Sequence, residues 1–64
     1  MQINLNGHPQ TITATTLAAA LAELGLNGPI ATALNGQFVA AQARATTALQ
    51  NGDRIEALSP MQGG

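Results

Sequence analysis

The 64-residue chain has no cysteine, tryptophan or tyrosine, and few of its side chains are charged. The absence of cysteine excludes disulfides, thiolate metal ligands and a cysteine nucleophile. Arg44 and Arg54 are the only Lys or Arg residues, too few for nucleic acid, whose phosphates are bound by neutralising several charges at once. Two positive charges also cannot form a polybasic patch for a membrane surface. We therefore expect no nucleic-acid or membrane partner.

Long hydrophobic runs are missing as well. The longest apolar stretch covers residues 17–22, whereas a membrane-spanning helix needs about 20 apolar residues. Residues 1–4 lack the positive and apolar regions of a secretory signal. The sequence predicts a soluble, cytoplasmic protein with a single small domain.

Alternation of apolar and polar residues predicts the strands. Met1, Ile3 and Leu5 alternate with polar residues, which is typical of a half-buried strand. Similar segments predict further strands over residues 10–13, 30–34, 37–39 and 54–59. Three dipeptides predict turns between elements because Asn and Gly tolerate positive φ: Asn6-Gly7, Asn35-Gly36 and Asn51-Gly52.

One amphipathic helix follows the first two strands. Leu17, Leu21 and Leu24 recur at i, i+4 and i+7, which places them on one helical face. Thr15 or Thr16 is a suitable N-cap, and Gly25 is suited to end a helix of about nine residues. Residues 40–50 show no clear period and predict a loop with one helical turn, anchored by Leu49.

The element order is strand, strand, helix, strand, short strand, strand. It predicts a two-layer α+β unit, a ubiquitin-like β-grasp whose mixed sheet of four to five strands packs on one helix. In the last strand, Ile55 and Ala57 are expected to face the core, with Glu56 and Leu58 on the outer face. We expect residues 1–59 to form the domain and residues 60–64 a flexible tail ending in Gly-Gly.

The ordinary catalytic and metal-binding residues are sparse. His8 has no second His or Cys to complete the three or four ligands of a metal site, so we expect an exposed hairpin residue and no metal. Asp53 and Glu56 fall in a turn and on a solvent face, where neither is suited to acid–base catalysis. Phe38, the one aromatic residue, is expected in the core or at its edge. No catalytic residue is predicted.

The C-terminal residues offer a different chemistry. Gly63 and Gly64 lack a Cβ, so their backbone can enter a channel too narrow for side chains. Five extended residues from 60 to 64 would reach roughly 16 Å. An ionised terminal carboxylate is a poor electrophile, and a partner enzyme would need ATP to convert it to a mixed anhydride.

Three segments carry a resemblance to a known family: LNGQFV (residues 34–39), NGDRIE (residues 51–56) and SPMQGG (residues 59–64). With these motifs the chain resembles the ThiS family, the sulfur carrier proteins of thiamine biosynthesis. Terminal Gly-Gly is shared with ubiquitin and with the small subunit of molybdopterin synthase.

The resemblance implies a protein co-substrate rather than an enzyme. A ThiF-like adenylyltransferase using ATP and magnesium would adenylate the Gly64 carboxylate, and a sulfur-donating persulfide protein would convert it to a thiocarboxylate. Thiazole synthase (ThiG) would receive the sulfur. Gly63, Gln62, Met61 and Pro60 would enter the partner's site, and the chain itself would bind no cofactor.

Ubiquitin-like docking implies that partners contact the outer sheet face, with Leu58, Glu56, Ala33 and Phe38 as the candidate residues. Three other functions stay open from the sequence. They are a sulfur carrier like the molybdopterin synthase small subunit, a ubiquitin-like protein modifier, and a β-grasp interaction module with an inert tail.

Overall fold

The computed structural model describes residues 1–26 and 28–59. Residues 60–64, predicted as a tail, lie outside the described residues, as does Asn27 in the loop predicted after the helix. The described elements are β1 (Gln2–Leu5), β2 (His8–Thr11), α1 (Leu17–Glu23), β3 (Ala31–Leu34), β4 (Gln37–Val39), a 3₁₀ helix (Ala41–Thr46) and β5 (Arg54–Leu58).

The strands form one sheet in the order β2-β1-β5-β3-β4. β1 and β5 run parallel, whereas the β1–β2, β3–β5 and β3–β4 pairs are antiparallel. This mixed five-stranded sheet with one α-helix confirms the predicted ubiquitin-like β-grasp fold. The last strand in the sequence therefore lies in the middle of the sheet, with a strand on each side.

β2 begins two residues earlier than the sequence predicts, at His8 rather than at Gln10. Pro9, which directly precedes the predicted strand, lies inside the observed one and pairs with Asn4. β2 is at the edge of the sheet, where proline is tolerated because its missing donor need not face a neighbouring strand.

Helix α1 begins and ends at the predicted signals but is seven residues long rather than nine. The Thr16 hydroxyl caps its start by accepting a hydrogen bond from the Ala19 N–H at 3.2 Å. Gly25 follows the last turn at a φ of +75°, where a glycine avoids the steric cost of a Cβ.

Residues 40–50 contain more helix than the single turn expected, because the 3₁₀ helix spans six residues, about two turns. A tertiary contact accounts for the difference. The Arg44 guanidinium donates from Nε to the buried Thr32 hydroxyl at 2.9 Å and from Nη2 to the Ile30 carbonyl at 2.7 Å. These bonds fix the segment to β3, and the local sequence gives no sign of them.

The core lies between the inner sheet face and α1. Its buried apolar residues are Ile3, Ile12, Leu17, Ala20, Leu21, Leu49 and Ile55. The leucine stripe of α1 thus packs as predicted, and Leu49 anchors the segment before β5. In β5, Ile55 is buried and Ala57 half-buried, whereas Glu56 and Leu58 are exposed, which confirms the predicted inward and outward positions.

Glu23, at the end of α1, connects the helix to the segment after β2. Its carboxylate accepts hydrogen bonds from the Thr13 N–H at 2.9 Å, the Thr13 hydroxyl at 3.1 Å and the Ala14 N–H at 2.9 Å. The Thr13 backbone N–H is the main cause that lowers the pKa of Glu23, because it stabilises the ionised carboxylate.

This arrangement predicts a pH dependence of stability. A folded-state pKa below that of the unfolded chain contributes stability above the unfolded pKa, and the contribution is lost as pH falls through the folded pKa. We expect the free energy of unfolding of the Glu23→Gln variant to fall less than that of the unmodified protein between neutral and acidic pH. Urea titrations across this range measure it. Glu56→Gln, which removes one negative charge from an exposed position, is the control, and equal pH slopes for all three proteins would contradict the prediction.

Candidate functional site

The end of β5 is the part of the described structure that leads to residues 60–64. β3 pairs with β5 up to Leu58, the last residue of β5, which lies opposite Ala31. β1 does not extend so far, because its last residue, Leu5, pairs with Ile55. Beyond Ile55, β5 therefore has a strand neighbour on one side only.

The side chain of Asn6 takes the place of the missing strand. Asn6 Oδ1 accepts a hydrogen bond from the Ala57 N–H at 2.9 Å, and Asn6 Nδ2 donates to the Ala57 carbonyl at 3.1 Å. The Asn6 backbone N–H also donates to the Ile55 carbonyl at 2.9 Å. The end of β5 is thus bonded on both sides up to Ala57.

The second Asn-Gly turn binds the opposite end of β5 in a related way. Asn35 Oδ1 accepts from the Arg54 N–H at 2.9 Å, and Asn35 Nδ2 donates to Asp53 Oδ1 at 3.1 Å. Asn6 and Asn35 have φ values of 50° and 51°, in the left-handed region that asparagine tolerates better than most residues. The sequence predicts both turns but contains no signal for their contacts with β5.

The four residues proposed from the sequence for partner binding lie together on the outer sheet face. Ala33 on β3 is opposite both Phe38 on β4 and Glu56 on β5. Leu58 lies two pairs further along on the same face, opposite Ala31. The two small alanines between the larger side chains leave a shallow groove of about 180 Å³.

The expectation that Phe38 belongs to the core or its edge is wrong, since the residue is 73% exposed. Side chains of a strand alternate between the two faces of a sheet. Val39 packs against the core, so its neighbour Phe38 must project from the outer face. With Leu58, which is 67% exposed, it makes this face the most apolar exposed part of the described sheet.

The size of the groove suits contact with a macromolecule better than enclosure of a small ligand. Small-molecule sites usually have volumes of about 300–1,000 Å³. Both this groove and the neighbouring polar cleft of about 230 Å³, to which Asn4, Arg54 and Glu56 contribute, are smaller. The outer face is therefore a surface on which another protein could dock.

The remaining candidates do not combine into a catalytic site. His8 is exposed on the edge strand β2. Asp53 holds the turn before β5, with Oδ2 accepting from the Gln50 N–H at 2.8 Å, whereas Glu56 is exposed on the outer face. Across residues 1–26 and 28–59, no three His, Asp or Glu side chains are close enough together to hold a metal ion. No helix in this part of the chain is long and apolar enough to cross a membrane.

A family model described as the ThiS family matches residues 3–64 of the sequence. The chain belongs to the ThiS family. The match extends across the sheet residues described above and continues through residue 64, so it includes the segment that follows β5. ThiS proteins are small sulfur carriers of thiamine biosynthesis rather than enzymes.

Solved structures agree with this assignment. The chain is similar to the crystal structure of the thiamine biosynthesis protein ThiS from Geobacter metallireducens, with 28% sequence identity, a TM-score of 0.85 and full coverage of both chains. An NMR solution structure of a thiamine biosynthesis protein from the same organism gives 28% identity and a TM-score of 0.78, with 100% of this chain and 88% of that chain covered. A search of curated protein sequences finds no match.

The exposure of the outer apolar residues predicts that they contribute little to folding. We expect Phe38→Ala and Leu58→Ala each to change the free energy of unfolding by less than about 1 kcal/mol. Ile55→Ala, on the buried side of the same sheet, should cost about 2–5 kcal/mol through lost burial and a cavity. Urea unfolding followed by circular dichroism measures all three. A loss at Phe38 as large as that at Ile55 would show that the outer residue is structural.

Proposed function

We propose that this chain carries sulfur for thiamine biosynthesis on the carbon of its C-terminal carboxylate, at Gly64. The observation that carries the proposal is the match to the ThiS family, which runs through residue 64. The described residues support it indirectly, because they form a small domain in which the conventional catalytic side chains are exposed or engaged in turns.

The proposed chemistry begins with activation by a ThiF-like adenylyltransferase. A Gly64 carboxylate oxygen attacks the α-phosphorus of ATP, with magnesium held by the partner, and pyrophosphate leaves. The terminal sulfur of a persulfide on a sulfur-donating protein then attacks the acyl carbon and displaces AMP. A thiol cleaves the resulting S–S bond, forming a disulfide and leaving a thiocarboxylate on Gly64. In thiazole synthase ThiG, the thiocarboxylate sulfur would attack an electrophilic carbon of the substrate to form a thioester, and water would cleave the bond between the acyl carbon and sulfur, which leaves the sulfur on the substrate and regenerates the Gly64 carboxylate.

In this proposal the residues before Gly64 act as a narrow connection. Gly63 has no Cβ to obstruct a close-fitting channel. With Pro60, Met61 and Gln62 it would place the terminal carbon up to roughly 16 Å from the end of the domain if extended. The domain could then remain outside the partner's active site while its terminus reacts inside.

The outer sheet face is the proposed docking surface for these partners. Leu58 is the last residue of β5, so only Ser59 separates it from residues 60–64. A partner that covers Leu58, Phe38 and Ala33 would bury exposed apolar surface. It would also contact the chain next to residues 60–64, the proposed carrier segment. Glu56 would lie inside the same contact and offer a charge to a basic or hydrogen-bonding group.

The first test follows the mass of the intact protein. After incubation with ATP, magnesium, a ThiF-like enzyme and a persulfide source, we expect the mass to increase by the difference between one sulfur and one oxygen atom. A variant without Gly64 should fold normally and show no such increase, because removal of the residue leaves the described domain intact. Sulfur loading of that variant would contradict the proposal.

Two further outcomes separate the other functions. Covalent products with other proteins would indicate a ubiquitin-like modifier, and a deletion strain that needs molybdenum cofactor rather than thiazole would indicate a molybdopterin synthase subunit. The proposal also requires a free carboxylate on Gly64. A native protein whose measured mass shows uncleaved residues after Gly64 would overturn it.

The second test concerns the docking surface. Ala31→Glu places a carboxylate in the groove beside Leu58, and we expect the affinity for a ThiF-like partner to fall by about tenfold or more because the charge must be desolvated. Ala19→Glu makes the same chemical change on the exposed side of α1, where a glutamate at the third helical position is favourable. Calorimetric titration of both variants measures the difference. Equal affinities would exclude the outer face as the docking surface.

A further inference from the structure

We propose that the Asn6 side chain is a positioning residue that sets the direction in which the chain leaves β5. The inference rests on the proposed function, because it concerns how the segment after β5 is presented to a partner. Asn6 lies 51 residues from Ala57 in the sequence and touches neither the groove nor any residue proposed to react. Its contribution would be the orientation of the strand.

The geometry of the pairing is the first support. Among residues 1–26 and 28–59, β3 is the only strand beside β5 beyond Ile55, and a strand end paired on one side frays more readily than one paired on both. The Asn6 amide engages both the N–H and the C=O of Ala57, at 2.9 and 3.1 Å. A primary amide carries a donor and an acceptor side by side, so it can bind both the N–H and the C=O of one residue, as a residue of a neighbouring antiparallel strand does.

The position of Ala57 is the second support. It comes two residues before Ser59, the last residue that the structure describes. Loss of the Asn6 bonds would let the last residues of β5 change direction, and with them the point from which the following segment starts. Positioning errors of about 1 Å at a reacting atom can cost about a hundredfold in rate.

The identity of residue 6 is the third support. At a φ of +50° the backbone admits glycine, asparagine and aspartate most readily. Glycine lacks the side chain, and an ionised aspartate offers only acceptors, which would face the Ala57 carbonyl without a hydrogen. Asparagine is the one of the three that can bind both groups of Ala57.

Asn35 provides a matched control within the same protein. It occupies an equivalent Asn-Gly turn at nearly the same φ, and its side chain also accepts from a backbone N–H of β5. That N–H belongs to Arg54, at the start of the strand, far from the exit. Asn6→Gly and Asn35→Gly therefore remove similar bonds from opposite ends of β5 without straining either turn.

The experiment measures adenylation of the full chain by a ThiF-like enzyme, as ATP–pyrophosphate exchange, together with amide hydrogen exchange by NMR. For Asn6→Gly and Asn6→Asp we expect a kcat lower by about tenfold. KM should change by less than about twofold, because the outer face is unchanged. The Ala57 N–H should exchange faster in both variants. Asn35→Gly should lose similar stability but keep the kcat of the unmodified protein.

Equal losses of kcat in Asn6→Gly and Asn35→Gly would overturn the inference, since they would reflect general destabilisation. A normal kcat in Asn6→Gly would overturn it as well. If the unmodified protein is not adenylated, the proposed function fails, and the inference is then judged by NMR relaxation of the Ser59 amide. That amide should become more mobile in Asn6→Gly and not in Asn35→Gly, and equal relaxation in both would reject the role of Asn6.

Discussion

The insertion of β5 between β1 and β3 is the interaction on which the rest of the structure depends. Ile55 pairs with Leu5 on one side and with Leu34 on the other, and its side chain is buried in the core. Without this strand, the N-terminal hairpin and the β3–β4 hairpin would be two separate ribbons, each only marginally stable in water. The strand that completes the sheet is also the one that leads to the proposed carrier segment.

Along β5, side chains that face the core alternate with side chains that face solvent. Alternation along the strand sends Ile55 and Ala57 toward α1 and sends Glu56 and Leu58 to the opposite face. The helix covers the inner face, and the 3₁₀ helix is bonded to β3 through Arg44. Changes on the outer face should therefore have little effect on the core, which suits the docking role proposed for this face.

Local patterns in the sequence were sufficient for the strands, the turns and the composition of the outer face. A period of two places Leu58, Glu56 and Ala33 on one side of a sheet once the strand order is given. Contacts between distant segments could not be predicted in this way. The Arg44–Thr32 bond that fixes the 3₁₀ helix and the bonds from Asn6 to Ala57 join residues whose proximity exists only after folding. Phe38 follows the local alternation instead: Val39 packs against the core, so Phe38 lies on the outer face and not in the core.

The scarcity of charge limits how this protein can be recognised. The Arg44 guanidinium is already bonded to Thr32 and Ile30, which leaves Arg54 as the one other arginine for a charged contact with a partner. If partners dock on the outer face as proposed, specificity there must depend mainly on the shape of the groove between Phe38 and Leu58. Two exposed apolar side chains around a small groove supply limited binding energy, because association must first overcome the loss of translational and rotational freedom. Limited affinity would suit the proposed carrier, since in that proposal a sulfur-loaded protein has to leave the enzyme that activated it before it can reach the one that consumes the sulfur.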